Sequence, residues 1–141
     1  MINTLIDAGP MIALFDKDDQ YHPDIIEFLQ GYNGNLFTSW PVVTEVTHIL
    51  DFSVLAQIDF LKWINKGGIE IVEISETGLK RIIHLIQKYS DQPMDFADGS
   101  LMWISEKYHI NNIVTIDSDY YVYRKKNNNN LNNLLDSFLK K

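Results

Sequence analysis

The stretch PMDFADGSLMWISEKYHINNIVTIDSDYYVYR, Pro93 to Arg124, decides the fold. Asp95 and Asp98 stand three apart at the front of an expected helix, so they share a face. His109, Asn111 and Asn112 mark a turn. Ile113-Val114-Thr115-Ile116 is a short β-branched run, the pattern of a fully buried parallel strand. Asp117 and Asp119 follow where that strand ends. In open α/β sheets ligands lie in the crevice beyond the carboxyl ends of the strands. The stretch therefore sends up to four carboxylates towards one pocket. Like charges repel, and a cluster of this kind usually needs a cation to hold it together.

The same logic extends to the front of the chain. Residues 2–6, INTLI, read as a first strand with Asp7 at its end, and Ala8-Gly9-Pro10 breaks it. Pro10 suits the start of a helix. Asp7 alone has two readings, a helix cap or a site carboxylate. A second helix is expected from Asp24 to Gln30 and a short second strand at Leu36-Phe37-Thr38. Trp40-Pro41 opens a helix expected to run from Val42 to Phe52, with Val42, Val43, Val46, Ile49 and Leu50 as its apolar stripe. Glu45 falls on or at the edge of that stripe. A buried carboxylate costs several kcal/mol unless it is paired or holds a metal, so Glu45 either reaches solvent or joins the other acids.

Further along, residues 53–65 read as a helix, Ile69 to Ile74 as a strand, and Ser75 as the cap of a helix ending near Tyr89. Trp63 and Trp103 sit at helical spacing and read as core. Beyond Arg124 the polar run Asn127 to Asn130 reads as a loop. Leu131, Leu134, Leu135, Phe138 and Leu139 predict a C-terminal amphipathic helix docked on the domain or on a partner. Strand and helix alternate throughout. That pattern implies a three-layer α/β/α domain with a mainly parallel central sheet, one domain over residues 1–141.

Composition sets limits. The chain lacks cysteine, which excludes disulfides, thiol catalysis and cysteine–zinc sites. No segment reads as a signal peptide or a membrane span, so a cytoplasmic protein with no membrane partner is expected. The net charge of −7 argues against non-specific nucleic-acid binding, less so if several acids are committed to divalent ions. The clusters Lys80-Arg81 and Arg124-Lys125-Lys126 are either solvated surface or phosphate contacts.

The acids form an ordered set: Asp7, Glu45, Asp95, Asp98, Asp117 and Asp119. That order, with LIDAGPMIALFD at the front, TSWPVVTEVTHIL in the middle and MDFADGSL…IVTIDSDYYVYR behind, resembles the PIN-domain nucleases, and most closely the VapC-type toxins of toxin–antitoxin pairs. The likeness runs from Ile2 to Arg124. It implies that Asp7, Glu45, Asp98 and Asp117 are the catalytic, metal-binding acids, with Asp95 a cap or supporting group and Asp119 a ligand or support. It implies Mg²⁺ or Mn²⁺ as cofactor and hydrolysis of RNA to 5′-phosphate and 3′-hydroxyl ends. It also implies a homodimer and a protein antitoxin whose basic side chain pairs with the acids. Two departures stand out. Ala8 and Gly9 offer no hydroxyl beside the first acid, and Gly99 stands where Ala is usual. A receiver domain or a haloacid-dehalogenase-type phosphatase would need a second acid beside Asp7, and D-A-G lacks it. The remaining alternative is a non-catalytic PIN-like module acting through protein or RNA contacts.

Overall fold

The structure, a computed structural model, describes residues 1–139. The chain starts on strand β1 (Ile2–Ile6), whose Thr4, Leu5 and Ile6 are buried on both faces of the sheet. Helices α1 (Ala8–Phe15) and α2 (His22–Gly31) lead to β2 (Gly34–Thr38). Helix α3 (Trp40–Ile49) follows, tightens into a 3₁₀ turn at Leu50–Phe52, and gives way to α4 (Val54–Asn65), which Ser53 caps by accepting from the Ala56 N–H. Strand β3 (Glu70–Ile71) precedes α5 (Glu76–Lys88), capped by Ser75 as expected. Helix α6 (Phe96–Tyr108) leads to β4 (Asn112–Val114), a 3₁₀ turn at Ser118–Tyr121, β5 (Asn132–Asn133) and α7 (Leu135–Leu139).

The five strands are all parallel, in the order β3-β2-β1-β4-β5. From β1 the chain builds outward through β2 and β3, then returns to add β4 and β5 on the other side. The order therefore reverses between β1 and β4, and the crevice beyond their carboxyl ends is the position where such sheets place ligands. The register Ile6↔Val114 brings the end of β1 beside the end of β4, and the Asp7 N–H extends the pairing by donating to Val114 O at 3.1 Å.

Helix α6 is the spine of the molecule, buried continuously from Ala97 to Ser105. It lies against α5 at two glycines. A Cβ on Gly78 would stand 2.6 Å from the Trp103 ring, and one on Gly99 would stand 2.9 Å from Ile82 Cγ2. A side chain at either position would force its neighbour to shift. Against α3, the hydroxyls of Ser39 and Ser100 share a buried hydrogen bond of 2.6 Å, which joins the starts of the two helices. Trp103 is buried, and Trp63 packs on Phe15 and Phe60, so both belong to the core.

Three elements differ from expectation. The strand expected over Ile69–Ile74 shrinks to Glu70–Ile71 because it is an edge that pairs with β2 alone, and after Val72 N–H donates to Thr38 O the chain turns away. The strand expected over Ile113–Ile116 keeps backbone pairing only to Val114. At Thr115 a side chain replaces the ladder: Asn133 Oδ1 accepts from Thr115 N–H at 3.3 Å and Asn133 Nδ2 donates to Thr115 O at 2.9 Å. The tail is not one helix. Its first residues form β5, paired Asn112↔Asn132 and Ile113↔Asn133, and only Leu135–Leu139 is helical. Leu131 and Leu135 are buried, and the Phe138 ring meets Phe28 at 5.5 Å, so the described tail docks on its own chain.

Candidate active site

One cavity of about 380 Å³ lies beyond the ends of β1 and β4, and all six candidate acids line it: Asp7, Glu45, Asp95, Asp98, Asp117 and Asp119. Four elements supply them. Asp7 ends β1, Glu45 comes from α3, Asp95 and Asp98 from the start of α6, and Asp117 and Asp119 from the turn after β4.

Within the cavity the acids separate into two groups. Oxygens of Asp7, Asp98 and Asp117 lie within 4.8 Å of one another. Glu45, Asp95 and Asp119 stand around this trio. Glu45 is exposed, so its side chain points over the cavity rather than into the core. Asp95 is the cap of α6 in a reciprocal box: its Oδ1 accepts from Asp98 N–H at 2.8 Å, and Asp98 Oδ2 accepts from Asp95 N–H at 3.3 Å. Asp119 donates its backbone N–H to Asp117 Oδ1 at 2.9 Å, which closes the turn. Asp7 occupies the cap position of α1 without a side-chain capping bond, which leaves its carboxylate to the cavity.

Hydroxyl groups orient the trio. Thr115 Oγ1 donates to Asp7 Oδ2 at 3.0 Å and accepts from Asp117 N–H at 3.0 Å. Thr115 thus supplies the hydroxyl that Ala8 and Gly9 lack. Tyr120 donates to Asp98 Oδ1 at 3.2 Å, and Tyr123 donates to Asp98 Oδ2 at 3.4 Å. Burial, then the charges on Asp7 and Asp98, raise the Tyr120 phenol well above its ordinary range, so it remains a proton donor. Burial and the charge on Asp98 do the same for Tyr123. All three fall in the stretch IVTIDSDYYVYR that carries the resemblance, Thr115 and Tyr120 at the two ends of TIDSDY, but none is assigned a role from the sequence.

Electrostatics is unfavourable to the bare site. Burial pushes Asp7 up to about 7, with the charges on Glu45 and Asp117 adding to it and bonding at Ala8 and Thr115 opposing it. Burial, then the charges on Asp95 and Asp7, push Asp98 up to about 8. Glu45 is raised by partial burial, then by Asp95 and Asp117. Among the described residues, the one ion pair within 4 Å is Arg81–Glu106, and neither residue lines this cavity, so no lysine or arginine neutralises the trio.

The donor set fits a hard divalent cation. It is all oxygen, carries several negative charges, and is compact enough for one ion to be shared. Hydrogen-bond donors behind the carboxylates hold their orientation, the arrangement that tunes metal sites.

The sequence matches the PIN domain family over residues 4–126. The chain belongs to the PIN domain family. It is 23% identical over 119 residues to ribonuclease VapC26 of Mycobacterium tuberculosis, covering 83% of this chain and 88% of that one. Among solved structures it superposes on VapC20 of M. tuberculosis, described as a sarcin-ricin loop cleaving toxin, with a TM-score of 0.77 at 14% identity, covering 84% of this chain and 93% of that one. A toxin–antitoxin complex from Klebsiella pneumoniae matches with a TM-score of 0.61 at 16% identity, covering 82% and 87% of the two chains. This PIN domain therefore has the three-layer α/β/α architecture expected of its sequence. No helix among its described residues is long and apolar enough to cross a membrane.

Proposed function

We propose that this chain is a Mg²⁺- or Mn²⁺-dependent endoribonuclease and the toxin half of a toxin–antitoxin pair. One observation carries the reading: carboxylates from three separate elements, two of them buried, bring oxygens within 4.8 Å of one another with no basic side chain among them. Such an arrangement costs stability unless a cation shares it. Asp7, Asp98 and Asp117 would hold the ion, and Glu45 and Asp119 would flank it. A bound divalent ion supplies a water activated near neutral pH and polarises the scissile phosphate. The protein's own part is orientation. Thr115 fixes Asp7 and the Asp117 turn together, Tyr120 and Tyr123 fix Asp98, and Asp95 holds the start of α6 in register.

The similarity to a ribonuclease and to a toxin–antitoxin complex supports RNA as substrate and a separate protein antitoxin as partner. A basic antitoxin side chain entering the cavity would meet the charges that a metal otherwise satisfies. Val54, Leu55, Ile58 and Leu61 leave apolar surface exposed on α4, which suits coverage by the antitoxin or by a second copy in a homodimer.

The test pairs a stability measurement with a cleavage assay. Mn²⁺ should raise the melting temperature of the wild type, since a ligand that binds only the folded state stabilises it. Asp98→Asn should abolish that rise while remaining folded. RNA cleavage should require the metal and stop with EDTA. Metal binding without cleavage of any RNA would leave the non-catalytic binding module as the better reading.

A further inference from the structure

A second cavity opens beside the acids. Its volume is about 720 Å³, and it shares Glu45 and Asp95 with the acidic cavity. Trp40 and Phe96 line it and are 49% and 45% exposed. Large aromatic side chains are the main apolar payload of a core, so two left half in water beside a site call for a cause. Each opens the helix that carries an acid of the neighbouring cavity. Trp40 is the first residue of α3, five before Glu45 and so about 7.5 Å along the axis. Phe96 is the first residue of α6, between Asp95 and Asp98. The indole is held in place, its Nε1–H donating to Glu73 Oε1 at 3.1 Å.

The charges around these rings select the occupant. Beside Thr44 and His48, which can donate or accept, three carboxylates line the cavity, Glu45, Glu73 and Asp95, and these accept hydrogen bonds only. They repel a phosphate and favour a group that offers N–H donors at its edge. A flat ring with apolar faces and an exocyclic amine meets both demands. We infer that this cavity is a nucleobase subsite, which stacks on Trp40 and Phe96 the unpaired base next to the scissile phosphate of a single-stranded RNA segment. The inference rests on the ribonuclease reading, and it assigns Trp40 and Phe96 to substrate positioning. Stacking tolerates any base. The carboxylate acceptors favour adenine, cytosine or guanine, whose exocyclic amine supplies two N–H donors, over uracil, whose pairing edge supplies only the N3–H.

Two measurements test it. In the first, Mn²⁺-supported cleavage is compared on matched oligoribonucleotides with and without an abasic nucleotide at each position beside the cut. At one position the abasic change should lower wild-type kcat/KM by roughly tenfold or more, the scale of a single base–aromatic stack. Trp40→Ala should lower cleavage of the intact RNA by a similar factor and make the abasic change silent. Trp40→Phe should keep most of the activity. All three proteins should show the same Mn²⁺-induced rise in melting temperature. An abasic penalty of equal size in wild type and Trp40→Ala overturns the subsite.

The second measurement does not need turnover. In an Asp98→Asn background, the Trp40 indole N–H resonance, assigned by its loss in Trp40→Phe, is followed as a tetraribonucleotide or its abasic counterpart is added. It should shift with the first and stay with the second. An indole that ignores the base while wild-type protein cuts RNA overturns the subsite and leaves the ribonuclease reading standing. An indole that responds in a chain that cuts no RNA does the reverse. If Trp40→Ala halves the mass in sedimentation and the indole ignores RNA, the face belongs to an interface between copies and the inference fails.

Discussion

Thr115 Oγ1 donates to Asp7 Oδ2 at 3.0 Å across 108 residues of sequence, and the same oxygen accepts from the Asp117 N–H. One hydroxyl therefore joins the end of β1 to the turn after β4 and holds two of the three clustered acids at once. Valine matches threonine in shape but can do neither. Thr115→Val should weaken Mn²⁺ binding roughly 10- to 100-fold, the usual cost of losing a group that orients a metal ligand. Thr115→Ser should restore most of it. Titration of melting temperature against Mn²⁺ checks this, and equal affinity in wild type and Thr115→Val would show that Asp7 needs no orienting donor.

The crowding of acids has a consequence for stability that runs opposite to activity. Asp7 is 6% exposed and Asp98 is 8% exposed; burial disfavours the charged form of both, and to it the charges on Glu45 and Asp117 add at Asp7 and those on Asp95 and Asp7 add at Asp98. Asp7→Asn removes one charge and keeps an acceptor for Thr115. Without divalent ions it should be more stable than wild type by roughly 1–3 kcal/mol, the relief of a like-charge contact in a buried setting. It should also be insensitive to added Mn²⁺. Denaturant melts with EDTA and with Mn²⁺ give both numbers, and a metal-free Asp7→Asn protein less stable than wild type contradicts the account.

The acids were legible because the signal for them is positional. A carboxylate that follows a β-branched run lands at a strand end, and two carboxylates three apart land on one helix face, whatever the rest of the chain does. That rule places Asp117 and Asp98 at the crevice, whereas Asp7 alone stays open between a helix cap and a site carboxylate until the order of all the acids is read together. Glu45 was harder. Its place at the edge of an apolar stripe left burial and exposure both open, and the structure puts it in solvent over the cavity. The tail is legible only in part: Leu135–Leu139 is helical as the leucine spacing implies, while Asn132–Asn133 is a strand. Leucines at helical spacing gave the pattern of a helix, while the feature that decides β5 is the Asn133 amide, which stands in for a strand at Thr115. Nothing in an asparagine-rich composition marks one amide out from its neighbours. Tyr120 and Tyr123 were hidden likewise, since only the folded turn aims both phenols at Asp98.

The contact between α5 and α6 gives a prediction independent of the site. A Cβ on Gly78 would lie 2.6 Å from Trp103 Cε2 and Cζ2, and Trp103 is a buried, rigid ring. Alanine favours a helix over glycine by about 1 kcal/mol, but overpacking of this kind costs about 1–3 kcal/mol. Gly78→Ala should therefore be less stable by up to about 2 kcal/mol. Adding Trp103→Phe, which shortens the ring, should make the alanine cheaper than it is alone. A double-mutant cycle in urea reads the coupling, and strict additivity would mean that the helices simply move apart.

The ion pair one turn along the same two helices sets an acid limit to stability. Arg81 holds Glu106 with two bonds, Nε to Oε1 at 2.9 Å and Nη2 to Oε2 at 3.0 Å, and the Lys126 N–H adds a third at 2.8 Å. Burial raises the Glu106 carboxyl, but the bonds from Arg81 and Lys126 outweigh it and hold the group below its ordinary value of 4.5. The folded state thus prefers the ionised form more than the unfolded state does. Its contribution is complete above about pH 4.5, the unfolded value, and disappears as pH falls through the lower folded value. Glu106→Gln should cost about 1.5–3 kcal/mol at pH 7, the range for hydrogen bonds to a charged group. As pH falls through the lowered folded value the variant and the wild type should converge, because the wild-type carboxyl is then protonated as well. Urea melts of the two proteins from pH 7 to pH 3 measure the gap, and a gap that stays constant over that range would show that the carboxylate's charge contributes nothing to joining α5, α6 and the segment after Arg124.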